Sequence, residues 1–96
     1  DPVAPIKEEK VVDTESDSIR AYYVIVGSFK SKQRAENLRK RLVFMGFKES
    51  AILRNENGMY RVTTAPFNTH TDCWNEGFLI RKKYPQFADA WGLAVR

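Results

Sequence analysis

The chain contains two stretches in which a dense apolar run is followed by apolar residues at helical spacing. Residues 22–26, Tyr-Tyr-Val-Ile-Val, combine aromatic and β-branched side chains and therefore predict a strand. Ser31 can cap a following helix, and Gly46 is placed to end it. A helix over residues 31–45 is predicted because its apolar residues recur every three or four positions: Ala35, Leu38, Leu42 and Met45.

The second half of the chain repeats this order after a predicted hairpin. Residues 51–54 and 60–64 are short β-favouring runs, and Asn57-Gly58 between them suits a tight turn with positive φ. Thr69 can cap a second helix, and residues 90–95 can form a last strand. The predicted element order is β-α-β-β-α-β.

An internal repeat with a constant offset of 38 residues relates the two halves. Residues 22–29 (Tyr-x-Val-x-x-Gly-Ser-Phe) align with residues 60–67 (Tyr-x-Val-x-x-Ala-Pro-Phe), and the register continues into both helices. Two such β-α-β halves interleave into a four-stranded antiparallel sheet with both helices on one face. The sequence therefore predicts an α+β plait of the RNP or ferredoxin-like type, whose other sheet face is uncovered.

The N-terminal residues differ in composition from the rest of the chain. Residues 1–19 carry six acids and two bases, a net charge of −4, whereas residues 20–96 carry fourteen bases and six acids, a net charge of +8. An acidic, proline-containing segment with scattered apolar residues cannot bury enough surface to order itself. We therefore expect a flexible linker or tail over 1–19 and a basic domain over 20–96, which favours an anionic partner.

Composition argues against several kinds of site. Cys73 is the only cysteine and His70 the only histidine, so an internal disulfide or a Cys-based zinc site cannot form within the chain. The sequence has no Gly-rich phosphate loop and no paired-carboxylate pattern, so we expect no cofactor, no metal and no catalysis. There is also no apolar run of about 18 residues and no secretory signal, which is expected of a cytosolic protein or of a piece of a longer one.

Four motifs follow one another in a fixed order: Gly27-Ser28-Phe29, Ala35-Glu36-Asn37-Leu38, Met45-Gly46-Phe47, and the run from Asn57 to Phe67 that contains Tyr60-Arg61-Val62. Together with the repeat, they make residues 21–95 resemble a SPOR domain. The resemblance implies a non-catalytic module that binds peptidoglycan glycan strands lacking stem peptides. It also implies a periplasmic or cell-envelope location, often at the division septum, behind a membrane or lipid anchor upstream. The fragment itself is expected to contact neither membrane nor nucleic acid.

Strand alternation predicts which side chains reach the uncovered face of the sheet. Arg61 is the strongest candidate for a ligand contact. Removal of a stem peptide leaves a lactyl carboxylate, and the forked guanidinium of an arginine can donate two hydrogen bonds to a carboxylate. Ser28 can bond a sugar hydroxyl or acetamido group, and aromatic rings offer flat apolar surface to sugar C–H groups. The predicted glycan-binding residues are Tyr23, Ile25, Ser28, Met59, Arg61, Thr63 and Trp91.

Some of these positions depart from the SPOR pattern or admit two interpretations. Ile25 stands where SPOR domains commonly have a glutamine, and Met59 stands where some members have a tryptophan. Trp91 shares one strand face with Leu93 and Val95, so the pattern leaves open whether it belongs to the core or to the binding face. Ser28 and Arg61 could also be an ordinary turn residue and an ordinary solvated strand residue.

Two other functions fit the predicted plait. An RNA-binding RRM-like module shares this fold and is often basic, although strands 22–26 and 60–64 lack the alternating Gly/aromatic RNP pattern. A protein-interaction domain that uses the open sheet needs no special residues and would show an exposed apolar patch there.

Overall fold

The computed structural model describes residues 6–14 and 19–96. Over these residues the chain forms six strands, two α-helices and one 3₁₀ turn. Their bounds, in chain order, are β1 (Ile6–Glu9), β2 (Val11–Thr14), β3 (Tyr22–Phe29), α1 (Lys32–Phe44), β4 (Ile52–Asn55), β5 (Tyr60–Phe67), α2 (His70–Lys83), the 3₁₀ turn (Pro85–Phe87) and β6 (Trp91–Val95).

Local sequence signals set the ends of both helices. The Ser31 hydroxyl accepts a hydrogen bond from the Arg34 amide at 3.3 Å, and the Thr69 hydroxyl accepts one from the Asp72 amide at 3.1 Å. Gly46, with φ +110°, follows the end of α1, where a residue with a side chain would be strained. The predicted helix starts are therefore confirmed, since capping depends on neighbours in sequence.

The predicted four-stranded antiparallel plait is wrong. The structure has one six-stranded mixed sheet in the order β1-β6-β3-β5-β4-β2, in which β1 runs parallel to β6 and β2 antiparallel to β4. Only Lys10 separates β1 from β2, although they lie at opposite ends of this order. Because one intervening residue spans at most about 7 Å, the sheet curls until its two edges approach each other.

The extra strands come from the acidic segment that was expected to be a linker. Residues 6–14, which we call the N-terminal arm, pair with the two edges of the sheet, while residues 1–5 and 15–18 lie outside the described residues. Backbone pairing can recruit such a segment despite its composition, because β6 and β4 would otherwise present unpaired N–H and C=O groups. Ile6 adds an apolar contact by packing over Gly92.

Curling divides the interior into two apolar clusters. The larger one lies between the sheet and the helices and includes Val24, Leu42, Val62 and Ile80. The smaller one lies on the side of the sheet turned away from the helices, which we call the inner face. Its buried members are Tyr23, Ile25, Leu53 and Leu93, with Val11, Trp91 and Val95 packed against them.

Neither described helix is long and apolar enough to cross a membrane.

Candidate functional site

Arg61 lies on the inner face in the middle of the sheet, as strand alternation predicts. Its neighbour Val62 is fully buried on the helix side. The Arg61 guanidinium donates two hydrogen bonds to one carboxylate of the arm, Nε to Glu9 Oε1 at 3.0 Å and Nη2 to Glu9 Oε2 at 2.8 Å. The two side chains are only 18% and 20% exposed, so this fork-to-carboxylate contact is largely shielded from water.

Trp91 also belongs to the inner face, so it points away from the helices. Its neighbour Ala90 packs in the helix-side cluster, whereas Trp91 packs beside Leu93 in the inner one. The Arg61 guanidinium carbon lies 5.2 Å from the centre of the Trp91 ring, and the Lys7 ammonium lies 5.8 Å from it. A planar cation and an indole therefore form one surface that is suited to a carboxylate beside an apolar ring.

The expectation that this sheet face is uncovered is wrong, because the sheet curls around it and the arm, which pairs with both sheet edges, adds Val11 and Glu9 to it. Tyr23 is 1% exposed, and Ile25 and Thr63 are fully buried. The Tyr23 hydroxyl accepts from the Arg20 amide at 2.9 Å, and the Thr63 hydroxyl accepts from the Ala51 amide at 3.2 Å. With the arm in place, these three predicted contact residues have protein neighbours instead of solvent.

Ser28 and Met59 lie near Arg61 but are less buried. Ser28 is directly opposite Arg61 in the β3–β5 register, and both residues are half-buried. Met59 precedes β5, and its amide donates to the Asn55 side-chain oxygen at 2.9 Å. The structure thus brings Ser28, Arg61 and Trp91 to the same face, with Met59 at the turn that leads into β5.

Sequence reasoning missed Glu9 and Asn55. The hydrogen bonds from Arg61 hold the pKa of the Glu9 carboxyl below its ordinary value of 4.5, although partial burial opposes this shift, and the Asn55 side chain also contributes to lowering it. Asn55 itself is 2% exposed and fixes the β4–β5 turn by accepting from the Asn57 and Met59 amides. The one sequence signal that the arm forms strands was the alternation of Lys7, Glu9 and Val11. This signal is weak, because the segment is short and only one of the three residues is apolar.

Two aromatic residues of α2 lie on its outer surface. Trp74 is 42% exposed and Phe78 is 36% exposed, and their rings stack with centroids 6.4 Å apart. The Lys82 ammonium lies 5.8 Å from the Phe78 ring. This aromatic pair is on the helix layer, so it takes no part in the inner face.

Cys73 is buried against the sheet and bonds the Tyr23 carbonyl with its thiol at 3.4 Å. Burial raises the pKa of this thiol to about 11, which disfavours the reactive thiolate. Among residues 6–14 and 19–96, no group of three or more His, Cys, Asp or Glu side chains could hold a metal ion.

A comparison with protein families gives one match, to the family model described as SPOR domain, over residues 18–74. The match covers more than half of the chain and extends from just before β3 into α2. No curated protein and no solved structure gives a significant match. Arg61 and Ser28 lie inside the matched range, whereas the arm and Trp91 lie outside it.

Proposed function

Because the chain belongs to the SPOR domain family, whose members bind peptidoglycan, we propose that it is a non-catalytic module that binds glycan strands lacking stem peptides through its inner face. Peptidoglycan binding is the general property of the family. The denuded strand as the preferred ligand, and the residues that hold it, are the parts that we propose.

The observation that carries the proposal is the two-point contact between Arg61 and a carboxylate. The Arg61 fork is oriented so that both oxygens of Glu9 accept from it, at 3.0 and 2.8 Å. A muramic acid without its stem peptide presents a lactyl carboxylate, whereas an intact strand presents a neutral amide at that atom. A site that holds a carboxylate at two points therefore favours the denuded strand.

The surroundings of Arg61 suit a sugar ring next to that carboxylate. Trp91, within cation–π distance of Arg61, gives a flat apolar surface for sugar C–H groups. Ser28, opposite Arg61, has a hydroxyl that can bond a sugar hydroxyl or acetamido group, and Met59 adds a flexible apolar contact. The net charge of +8 over residues 20–96 attracts an anionic strand at long range.

SPOR domains are typical of bacterial cell-envelope and division proteins. We propose accordingly that this domain works in the periplasm and directs the protein that carries it to septal peptidoglycan, where amidases expose denuded strands. A fluorescent fusion exported to the periplasm tests this proposal. Midcell enrichment that disappears in Arg61→Ala supports it, and uniform labelling of the envelope contradicts it.

Retention on purified cell-wall sacculi tests the ligand directly. We expect the parent protein to bind amidase-treated sacculi well above intact sacculi, and Arg61→Lys, which keeps the charge but lacks the fork, to lose most of this preference. Equal retention on both sacculi would indicate general cationic attraction and contradict the proposal. A parallel sample with single-stranded RNA distinguishes the RRM-like alternative, which predicts retention of the RNA.

A further inference from the structure

The face proposed to bind glycan is already occupied by a segment of the same chain. Resting on that proposed function, we propose that the N-terminal arm is an intramolecular competitor whose Glu9 carboxylate takes the place of the ligand carboxylate, so that a glycan strand must displace the arm to bind.

The chemistry of the two occupants is the same at the Arg61 fork. Both oxygens of Glu9 accept hydrogen bonds from Nε and Nη2 of Arg61. A lactyl carboxylate in two-point contact needs these same donors. The guanidinium therefore cannot hold Glu9 and the ligand carboxylate in this geometry at once, and the two exclude each other.

The curl of the sheet, which the arm closes by pairing with both edges, also buries the rest of the face. The four apolar side chains at its centre, Tyr23, Ile25, Leu53 and Leu93, are at most 1% exposed, and Val11 of the arm packs against them. A glycan strand is an extended polymer that needs a continuous stretch of exposed sheet. Release of the Glu9 carboxylate alone is therefore insufficient, and the arm as a whole must move.

The arm is attached in a way that allows it to leave the sheet while the rest of the domain stays folded. Its two strands have four residues each and lie at the edges of the sheet, and the β2–β4 register is irregular. Ile6 is the one arm residue that packs in the helix-side cluster, which otherwise consists of residues from 22 onward. A segment with few apolar contacts and edge hydrogen bonds opens at a lower free energy than the core.

The closed arrangement is nevertheless favoured in the absence of ligand. Opening removes the carboxylate from Arg61 and exposes the apolar centre of the inner face to water. A ligand that supplies both a carboxylate and apolar ring faces replaces these interactions, whereas a simple anion replaces only one. The apparent affinity for glycan is therefore proportional to the fraction of molecules in which the arm is open. The arm also raises selectivity for ligands that have both a carboxylate and apolar ring faces.

A reversible covalent lock tests this proposal in the full chain. Glu8 lies directly opposite Ala94 in the β1–β6 register, at a strand spacing that a disulfide can bridge, and Glu8 is exposed. In the double variant Glu8→Cys with Ala94→Cys, oxidation fixes β1 to β6, and mass spectrometry verifies the bond. The buried thiol of Cys73 does not compete, because burial suppresses its thiolate.

Retention on amidase-treated sacculi is then compared between the oxidised and reduced forms. We expect the oxidised form to lose about tenfold or more in apparent affinity and the reduced form to match the Glu8→Gln variant. Equal binding by both forms would overturn the competitor proposal and leave the proposed function standing. Absence of binding by every form, the parent included, would overturn the proposed function itself.

A second pair of variants tests Glu9 without a disulfide. Glu9→Gln removes the charge that Arg61 holds, and Glu8→Gln removes the same charge from the exposed neighbour. We expect Glu9→Gln to bind denuded sacculi on the order of threefold to tenfold more tightly than the parent, and Glu8→Gln to stay within about twofold of it. Equal effects of the two substitutions would mean that only net charge matters, which contradicts a specific role of Glu9.

Discussion

The Glu9 carboxylate and the Arg61 guanidinium meet in a two-point contact at 2.8 and 3.0 Å, although the two residues are 52 positions apart in the sequence. The contact joins the first strand of the sheet to one of its central strands. Both side chains are about four-fifths buried. The contact therefore links the position of the arm to the protonation state of the Glu9 carboxyl.

Acid should therefore weaken the docking of the arm. The pKa of Glu9 is below 4.5 when Arg61 bonds it and returns toward that value when the arm is free. A lowered pKa means that the contact stabilises the folded chain fully above about pH 4.5 and that this stabilisation is lost as the pH falls through the lowered value. Urea unfolding of the parent and of Glu9→Gln from pH 7 to pH 3 measures this stabilisation. The difference between their free energies of unfolding should shrink below about pH 4.5. A constant difference would show that Arg61 does not stabilise ionised Glu9.

Arg61→Ala and Val62→Ala should separate binding from stability. Arg61→Ala should lower the free energy of unfolding by about 1–2 kcal/mol, because the arm at the sheet edge can move and return the Glu9 carboxylate to water, and it should remove most retention on denuded sacculi. Val62→Ala should lower stability by roughly 1–3 kcal/mol through a cavity among the helix-side residues, while the folded fraction still binds. Unaltered glycan binding by a folded Arg61→Ala protein would place the site elsewhere.

Deleting residues 1–14 should lower the thermal midpoint without unfolding the domain. The deletion removes Ile6 from the helix-side cluster and Val11 from the inner one, and it exposes part of the inner cluster, for a total loss of roughly 2–5 kcal/mol. In a domain of this size each kcal/mol corresponds to about 4–8 °C, which calorimetry detects easily. Val12→Ser, at an arm position whose side chain is 44% exposed, is the control and should shift the midpoint little. An unchanged midpoint after deletion would mean that the arm contributes nothing to stability.

The sequence predicted what local interactions decide. Ser31 and Thr69 cap the helices as expected, and Gly58 takes the positive φ that its turn requires. Alternation also assigned Arg61 and Val62 to opposite faces of β5 correctly. In each case the deciding neighbours lie within a few residues in the sequence.

What the sequence could not predict depends on distant partners. The arm becomes two strands because β6 and β4 offer free edges, and its composition gives no sign of that. Trp91 faces away from the helices because the next residue, Gly92, lies on the helix side against Ile6 and Cys73. These two contacts are distant in the sequence. β3 extends to Phe29, three residues beyond the predicted end, because its pairing with β5 continues across Gly27.

Gly92→Ala should weaken the attachment of the arm on the helix side of the sheet, which is opposite to the Glu9–Arg61 contact. A Cβ at this position would lie 2.6 Å from Ile6 Cγ1 and 3.2 Å from Cys73 Sγ, so the substitution forces Ile6 outward. We expect a stability loss of roughly 1–3 kcal/mol in urea unfolding. Adding Ile6→Ala should recover part of it, because the two residues are in contact and their effects are not additive. Fully additive losses would show that the arm does not press on Gly92.

The two tryptophans of the chain should differ in their effect on glycan binding. Trp91 lies beside Arg61 on the inner face, whereas Trp74 stacks on Phe78 at the outer surface of α2. If the inner face binds sugar rings, Trp91→Ala should weaken retention on denuded sacculi on the order of tenfold, through the loss of its flat apolar surface. Trp74→Ala removes the same side chain from the other layer and should leave retention unchanged. The measurement is a sacculus binding curve for each variant at matched folded fraction, checked by circular dichroism. Loss of binding in Trp74→Ala alone would move the binding surface from the sheet to the helix layer, and the arm would then cover a face that no glycan uses.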